Sequence, residues 1–149
     1  VTGCASSGEI SSDAGNNLGG IAGTNSGTIE LSYNEGDITS SCCSDEHCVG
    51  GIAGENLGGT IRNCYNTGAV TGRNWVGGIA GLSGYQKTPQ AVEYAGGYST
   101  GAVTGTSNVG AVVGKLSKGT VSGIYYLQGT QNSVSAATAA TALSVRPSR

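Results

Sequence analysis

Large apolar side chains are scarce in this chain of 149 residues. It has no phenylalanine, no methionine and a single tryptophan, and isoleucine, valine, leucine and alanine fill most of its apolar positions. Globular cores normally depend on large side chains, so this composition predicts a thin core closed by short strands and many turns. The 28 glycines agree with that prediction. Glycine fits where a side chain would clash or where the backbone needs a positive φ.

Charge is equally scarce, and this excludes several classes of partner. Charged residues make up 11% of the chain, its net charge is −2 and it has no basic run, so we expect no nucleic-acid partner. No stretch reaches the roughly 18 apolar residues of a membrane span, so we expect no membrane insertion. No signal peptide is visible and the chain begins at Val1, so we interpret it as a mature form or a fragment of a longer exported protein.

The sequence is dominated by an internal repeat. The word Gly-Gly-Ile-Ala-Gly stands at 19–23, 50–54 and 77–81, and a degenerate copy stands at 110–114. The second position of each copy, held by Gly20, Gly51, Gly78 and Ala111, recurs after 31, 27 and 33 residues. A second word follows, in which residues 28–39 match residues 60–71 and, more loosely, 92–104. Repeats of this period are typical of proteins built from stacked units.

The spacing of apolar residues within the repeats favours strands over helices. Runs such as 37–39 and 69–71 alternate outward, inward, outward, and no sustained helical spacing occurs before Gly129. We therefore predict an all-β fold, a β-helix (β-solenoid) of about five short-strand coils over residues 1–129, with its handedness undetermined. A bend at the glycine pair should turn both Val49 and Ile52 inward. Residues 130–149 are rich in Ser, Ala and Thr, and we expect a C-terminal cap, such as a short helix from Ala136, or a linker.

Aligning the coils brings chemically similar residues into rows. A tyrosine row holds Tyr33, Tyr65, Tyr98 and Tyr126. It predicts either a corner ladder of rings packed on one another or a platform on which sugar rings stack. A charged row holds Glu30, Arg62, Glu93 and Ser122. It predicts an exposed salt ladder between coils that are about 4.8 Å apart.

The two words together resemble a known family. Gly-Gly-Ile-Ala-Gly followed by Gly-Thr-Ile-x-Asn-Cys-Tyr-Asn-Thr-Gly-x-Val-Thr-Gly is similar to the GLUG repeat of secreted and surface-anchored bacterial proteins, and the resemblance extends from Gly8 to about Gly129. The family occurs in large adhesin-like proteins and beside the peptidase domain of some immunoglobulin A peptidases. The resemblance brings no catalytic residues. It implies an accessory module of a larger polypeptide, at the bacterial cell surface or secreted, that acts in adhesion, ligand binding or spacing.

Two coils carry insertions, and insertions in repeat proteins are where function is commonly added. Residues 41–48 lengthen one corner and residues 82–90 lengthen another. We expect a host protein or a glycan to bind a lateral face. The candidate contact residues are Trp75, Tyr85, Tyr33, Tyr65 and Tyr98. For Trp75 a covering role is an equal alternative.

The five cysteines suggest an oxidising compartment. Cys42, Cys43 and Cys48 share the first insertion, and we predict that one of the first two bonds to Cys48. A zinc site is the weaker interpretation, because Cys-Cys-x4-Cys lacks the paired spacing of zinc ligands, and we expect no metal and no cofactor. Cys4 and Cys64 fall in one row two coils apart, about 10 Å at the spacing of stacked strands, so we expect both to be unpaired, small and buried.

Two other functional classes fit parts of the sequence. Glu9 and Asp37 fall in one row, near the separation of the carboxylates in a retaining glycosidase, and some β-helix proteins are polysaccharide-active enzymes. No row of Arg, Lys or aromatic residues forms a cleft around that pair, so we expect no enzyme. The rows that contain Thr39, Thr71 and Thr104 resemble the threonine array of an ice-binding solenoid. The row flanking them holds Glu, Asp and Ala instead of a second threonine.

Overall fold

The computed structural model describes residues 1–14, 16–43, 45–84, 92–127, 129 and 143–145. Within these ranges the chain forms strands and turns without a helix, and parallel strands stack into four sheets. The prediction of an all-β solenoid is confirmed, with about four turns rather than five. The described part of the chain contains no helix able to cross a membrane. The helix expected from Ala136 to Leu143 lies outside the described residues, apart from Leu143, which begins a strand.

The strands are short, and each sheet runs along the solenoid axis. Sheet A consists of β1 (Ala5–Ser6), β5 (Thr28–Glu30), β6 (Tyr33–Asn34), β10 (Thr60–Asn66), β14 (Glu93–Ser99), β18 (Thr120–Leu127) and β19 (Leu143–Val145). Sheet B consists of β2 (Ile10–Ser12), β7 (Ile38–Ser40), β11 (Val70–Thr71) and β15 (Val103–Thr104). Sheet C consists of β3 (Asn17–Gly19), β8 (Cys48–Gly50), β12 (Asn74–Gly77) and β16 (Ser107–Gly110). Sheet D consists of β4 (Ala22–Asn25), β9 (Ala53–Asn56), β13 (Ala80–Ser83) and β17 (Val113–Leu116).

Each strand pairs in parallel with the matching strand one turn away. In sheet B, for example, Val70 lies opposite Ile38 on one side and opposite Val103 on the other. Parallel stacking in register follows from the repeat, because equal words place equal side chains above one another. Val70 is fully buried whereas Thr71 is partly exposed, as the alternation of a half-buried strand requires.

The charged row predicted from the sequence is wrong in its third member, Glu93, whereas Ser122 has its predicted place and lies opposite Ala95. Arg62 lies opposite Ala95 and not opposite Glu93. The cause is that Tyr94, a fully buried side chain, fills the apolar row of this sheet. The salt ladder therefore reduces to one pair, in which Arg62 Nη2 lies 2.7 Å from Glu30 Oε2. The hydrogen bond from Arg62, assisted by its charge, lowers the pKa of Glu30.

The tyrosine row is correct up to its last member. Tyr98 lies opposite Tyr125, while Tyr126 lies opposite Ser99. The prediction counted back from the glycine that follows the tyrosine in each coil. The last coil has one residue more between Tyr125 and Gly129 than the coil before it has between Tyr98 and Gly101, so the row was misplaced by one residue.

The interior is divided into two narrow apolar cores. The first lies between sheets A and D and has as fully or nearly fully buried members Ile29, Ile52, Ala53, Ile61, Cys64, Ile79, Ala80, Val92, Tyr94, Val112, Val113, Val121 and Ile124. The second lies between sheets B and C and consists of Leu18, Ile38, Val49, Val70, Val76, Val103 and Val109. Each core is about one side chain wide per coil, so aliphatic side chains of moderate size fill it, as the composition predicted.

A ladder of buried amides lies where the chain passes from one core to the other. Asn34 Nδ2 donates to Asn66 Oδ1 at 2.8 Å and to the carbonyl oxygen of Gly36 at 2.7 Å. Asn66 Nδ2 donates in turn to the carbonyl oxygen of Gly68 at 2.9 Å. Ser99 takes the next place in the row, and no hydrogen-bond partner for its buried Oγ exists among the described residues. The amide ladder therefore ends at Asn66, because the next coil has a serine in place of the asparagine.

The glycine pair of the repeated word lies against this amide ladder. A Cβ atom at Gly51 would overlap the carbonyl oxygen of Gly78 and the side chain of Asn66, and one at Gly20 would overlap Asn34. Only glycine leaves room for the amide there, and this allows the chain to bend sharply. The prediction that the bend turns Val49 and Ile52 inward is confirmed, because both are fully buried, one in each core.

Extending the amide ladder should stabilise the protein. In Ser99→Asn, the new Oδ1 can accept from Asn66 Nδ2 and the new amide can donate to the carbonyl oxygen of Gly101, as Asn66 does with Gly68. We expect the free energy of unfolding to rise by about 1 kcal/mol, the net contribution of one or two buried hydrogen bonds. Urea unfolding measures this change. Ser99→Ala is the matched control and should be nearly neutral, because the Oγ it removes has no partner; a loss of stability in Ser99→Asn would contradict the ladder.

Candidate functional site

Two rows of side chains flank the tight bend between sheets C and D. One row, from sheet C, holds Asn17, Cys48, Trp75 and Asn108. The other, from sheet D, holds Thr24, Glu55, Leu82 and Lys115. The backbones between the rows approach closely, since a Cβ at Gly54 would lie 2.7 Å from the backbone nitrogen of Leu18. The two rows therefore form the walls of a groove whose floor is backbone.

The groove holds a recess beside the tryptophan. The volume of this recess is about 270 Å³, and it is lined by Asn16, Asn17, Glu46, Cys48, Glu55, Trp75 and Leu82. Hydrogen bonds between the rows fix the polar part of the wall. Asn17 Nδ2 donates to Thr24 Oγ1 at 3.0 Å and to Glu55 Oε2 at 2.9 Å. We call this volume the Trp75 groove.

Trp75 is held in an unusual backbone conformation. Its φ is 49°, in the left-handed region that L-residues adopt at a cost of about 1–2 kcal/mol. Its backbone N–H donates to Asn74 Oδ1 at 3.0 Å, and Lys115 Nζ lies 5.9 Å from the centroid of its ring. The indole N–H is buried without an acceptor among the described residues, while the residue as a whole is half-buried. The backbone of Trp75 is thus held by a hydrogen bond, and its ring has a cation–π contact with Lys115.

The insertion at 41–48 is fastened to the next coil and brings Glu46 to the groove. Arg73 Nη1 donates to the carbonyl oxygen of Cys43 at 2.6 Å, and Arg73 Nε lies 3.1 Å from Asp45 Oδ1. Asn74 Nδ2 donates to the carbonyl oxygen of Asp45 at 2.8 Å. The second insertion begins later than expected, because Leu82 belongs to β13 and lies opposite Glu55. Tyr85 lies outside the described residues.

The cysteines are all free thiols, so the bridge from Cys42 or Cys43 to Cys48 is absent from the structure. Cys42 Sγ lies 3.0 Å from His47 Nε2 instead, and Cys43 is exposed at the surface. Cys48 belongs to the buried strand β8, and burial, with a smaller effect of the charge of Glu55, raises its pKa to about 12.

The other two cysteines differ from each other in burial. Cys64 is buried, as predicted, and burial raises its pKa. Cys4 is exposed, which contradicts the expectation of a buried filler; it lies in the first coil, where fewer neighbours cover it. The described residues contain no group of three or more His, Cys, Asp or Glu side chains placed to hold a metal ion.

The tyrosine row forms a stack of rings. The ring centroids of Tyr33 and Tyr65 are 4.7 Å apart with planes 3° from parallel, and those of Tyr65 and Tyr98 are 4.8 Å apart and 8° from parallel. The faces of Tyr65 are therefore covered by its neighbours, and a sugar ring cannot lie on them. This geometry favours the corner ladder over the sugar platform for Tyr65. Tyr98 and Tyr125, at 39% and 46% exposure, border a small apolar hollow at the end of the stack.

Glu9 and Asp37 are neighbours in adjacent coils and lie on the open surface. Ile10 and Ile38, the residues that follow them, lie opposite each other in sheet B. Asp37 Oδ1 accepts the backbone N–H of Ala69 at 2.9 Å, so this carboxylate caps the next coil.

The parallel stack of coils defines the chain as a β-solenoid repeat protein. Residues 45–71 match the family model described as "The GLUG motif", and the other copies of the two words stack on this segment in register. Residues 45–71 therefore carry a GLUG motif, and the coils that stack on them repeat its two words. Searches of curated proteins and of solved structures each found no match.

Sequence reasoning missed most of the groove. It singled out Trp75 but not Asn17, Glu55 or Leu82. One signal was available, because these residues occupy the same two positions around the Gly-Gly-Ile-Ala-Gly word in different coils. Their chemical types differ from coil to coil, so no row was recognised.

The thiols should separate into a fast and a slow class on alkylation. Under native, reducing conditions Cys4 and Cys43 should react with iodoacetamide at rates near those of the unfolded chain, because both are exposed. Cys64 should react only through opening of the fold, and Cys48, which is 2% exposed where it borders the groove, should react slowly because its high pKa keeps the thiolate rare up to about pH 10. Peptide mass mapping measures the rates, with the denatured protein as control. Fast labelling of Cys48 would contradict its burial and its raised pKa.

Proposed function

We propose that the protein is a non-catalytic extracellular repeat module of a bacterial surface or secreted protein. It binds a host protein or a glycan on a lateral face and forms part of a larger polypeptide. The observation that carries the proposal is the Trp75 groove, in which a half-buried aromatic ring and fixed polar groups line a recess on the side of the solenoid. The resemblance to adhesin-like repeat proteins supports the extracellular setting.

The scaffold suits binding because its groove is already organised. Four wall residues lie in strands that are paired on both sides, namely Cys48, Glu55, Trp75 and Leu82, and Asn17 is fixed by hydrogen bonds to the facing row. A site that is formed before the ligand arrives loses little conformational entropy on binding. Tryptophan is also among the residues that contribute most to binding energy at interfaces.

The contacts of the acidic pair support binding over catalysis. Asp37 accepts a backbone N–H from the next coil, and Glu9 and Asp37 are both exposed outside the groove. A retaining glycosidase needs two carboxylates on either side of a substrate held in a cleft. A polysaccharide-active enzyme is the second candidate function. In that case the substrate would bind at Glu9 and Asp37 instead of at Trp75.

An array of glycans and host extracellular proteins, probed with the purified protein, tests the proposal. We expect at least one ligand that binds the wild type and is lost in Trp75→Ala, because that change removes the aromatic wall of the groove. Thr104→Ala, on the exposed side of sheet B, is the control and should bind normally. In parallel, release of reducing ends from a polysaccharide panel is measured for the wild type and Glu9→Gln. Turnover that Glu9→Gln abolishes would replace the binding function with the enzymatic one, and the absence of any ligand would favour a spacer.

A further inference from the structure

We propose that the ligand of the Trp75 groove is a neutral, hydroxyl-rich sugar ring within a polysaccharide. The inference rests on the proposed binding function and makes it more specific. It assigns a carbohydrate, and not a protein or a charged small molecule, to the groove.

The chemical make-up of the walls fits a ring that carries hydroxyl groups on its edge. Asn16 supplies an amide donor and acceptor, Asn17 supplies its amide oxygen because both of its N–H groups are already engaged, and Glu46 and Glu55 supply carboxylate acceptors. Trp75 and Leu82 form the apolar part of the wall. A pyranose ring has hydroxyls that both donate and accept and a carbon face that is apolar, so it can use both kinds of surface at once.

The distribution of charge favours a neutral ligand. Two carboxylates, those of Glu46 and Glu55, border the groove and disfavour an anion such as a uronic acid or a phosphate. The Lys115 ammonium lies 5.9 Å from the centroid of the Trp75 ring and disfavours a second cation there. Glu55 Oε2 already accepts a hydrogen bond from the neutral amide of Asn17, so one oxygen of this carboxylate is engaged within the wall.

The size and course of the groove fit one ring of a longer chain. At about 270 Å³ the Trp75 groove falls just below the range of sites for drug-sized ligands. The two wall rows continue into the neighbouring coils, at steps of about 4.8 Å, so a polymer can run on along the axis. A single ring in so open a site should bind with a dissociation constant on the order of 1 mM.

The backbone of Trp75 adds a structural argument for a function at this position. Its φ of 49° is a conformation that a bulky residue rarely adopts, and Asn108 at the matching position of the next coil has the same φ. Asparagine tolerates this region, whereas tryptophan does not gain from it. Strain of this kind is commonly retained where a side chain has to be presented in one direction.

Titration of the ¹⁵N-labelled protein with three probes tests the proposal. The probes are neutral hexo-oligosaccharides, oligogalacturonate and a lysine-rich peptide. We expect saturable shifts of the Trp75 and Asn17 side-chain signals with a neutral oligosaccharide, and at least tenfold weaker binding of the two charged probes. Trp75→Ala should lose binding at least tenfold, Trp75→Phe should retain it within a fewfold, and Thr104→Ala should be unchanged.

Glu55→Gln separates a neutral from a cationic ligand. It keeps an acceptor oxygen and removes the charge, so affinity for a neutral sugar should fall only a fewfold, because one hydrogen bond loses its charge assistance, whereas affinity for a cation should fall at least tenfold. Each variant is first checked by its amide spectrum for the wild-type fold. If no neutral oligosaccharide produces shifts at concentrations up to about 10 mM, or Trp75→Ala binds as the wild type does, the inference is overturned. If the array yields a protein ligand that Trp75→Ala loses, the proposed function stands while the sugar assignment fails.

Discussion

The hydrogen bond from Asn34 to Asn66, at 2.8 Å in the interior, is the contact on which the cross-section of the solenoid depends. Buried amides are costly unless they are paired, and the stack supplies the pairing by placing the same residue at the same depth in the next coil. Because a side-chain amide and a glycine backbone meet at this level, the interior splits into two narrow cores. A single wide core would need larger side chains than this chain contains.

The two words of the repeat meet at that contact, since one supplies the asparagine and the other the glycine pair that packs against it. The asparagine of the second word fills the space that a Cβ at Gly20 or Gly51 would occupy, and the glycine pair lets the chain turn around it. Each core then needs only a few small or aliphatic side chains from each coil, such as Val49 on one side of the bend and Ile52 on the other. The lack of phenylalanine and methionine is therefore a consequence of the geometry.

The buried rows could be predicted from the sequence, whereas the rows in coils that depart from the repeat could not. Rows of similar aliphatic residues in the core, such as Ile38, Val70 and Val103, were placed correctly, because strand alternation and the repeat period agree there. Errors arose where a coil departs from the pattern: Tyr94 occupies an aliphatic row, and Tyr125 shifts by one place. No rule of spacing could have corrected these, because only packing decides which of two nearby apolar residues faces the core. The loop bridge to Cys48 was inferred from proximity in sequence, whereas the structure buries that thiol in a strand.

Stacking restricts the side chain at the buried positions of each coil but not at the positions that line the groove. The chemistry available for binding can therefore differ between coils at the groove positions. The wall row of sheet D shows this, since Thr24, Glu55, Leu82 and Lys115 share one backbone position but have four kinds of side chain. The row two residues earlier in the same strands stays small and aliphatic, with Ala22, Ala53, Ala80 and Val113. A groove built from such free positions can take on specificity without altering the core, because no wall residue takes part in the amide ladder. The residues that a repeat search cannot see are therefore the ones in which the function of this solenoid resides, if it binds a ligand as we propose.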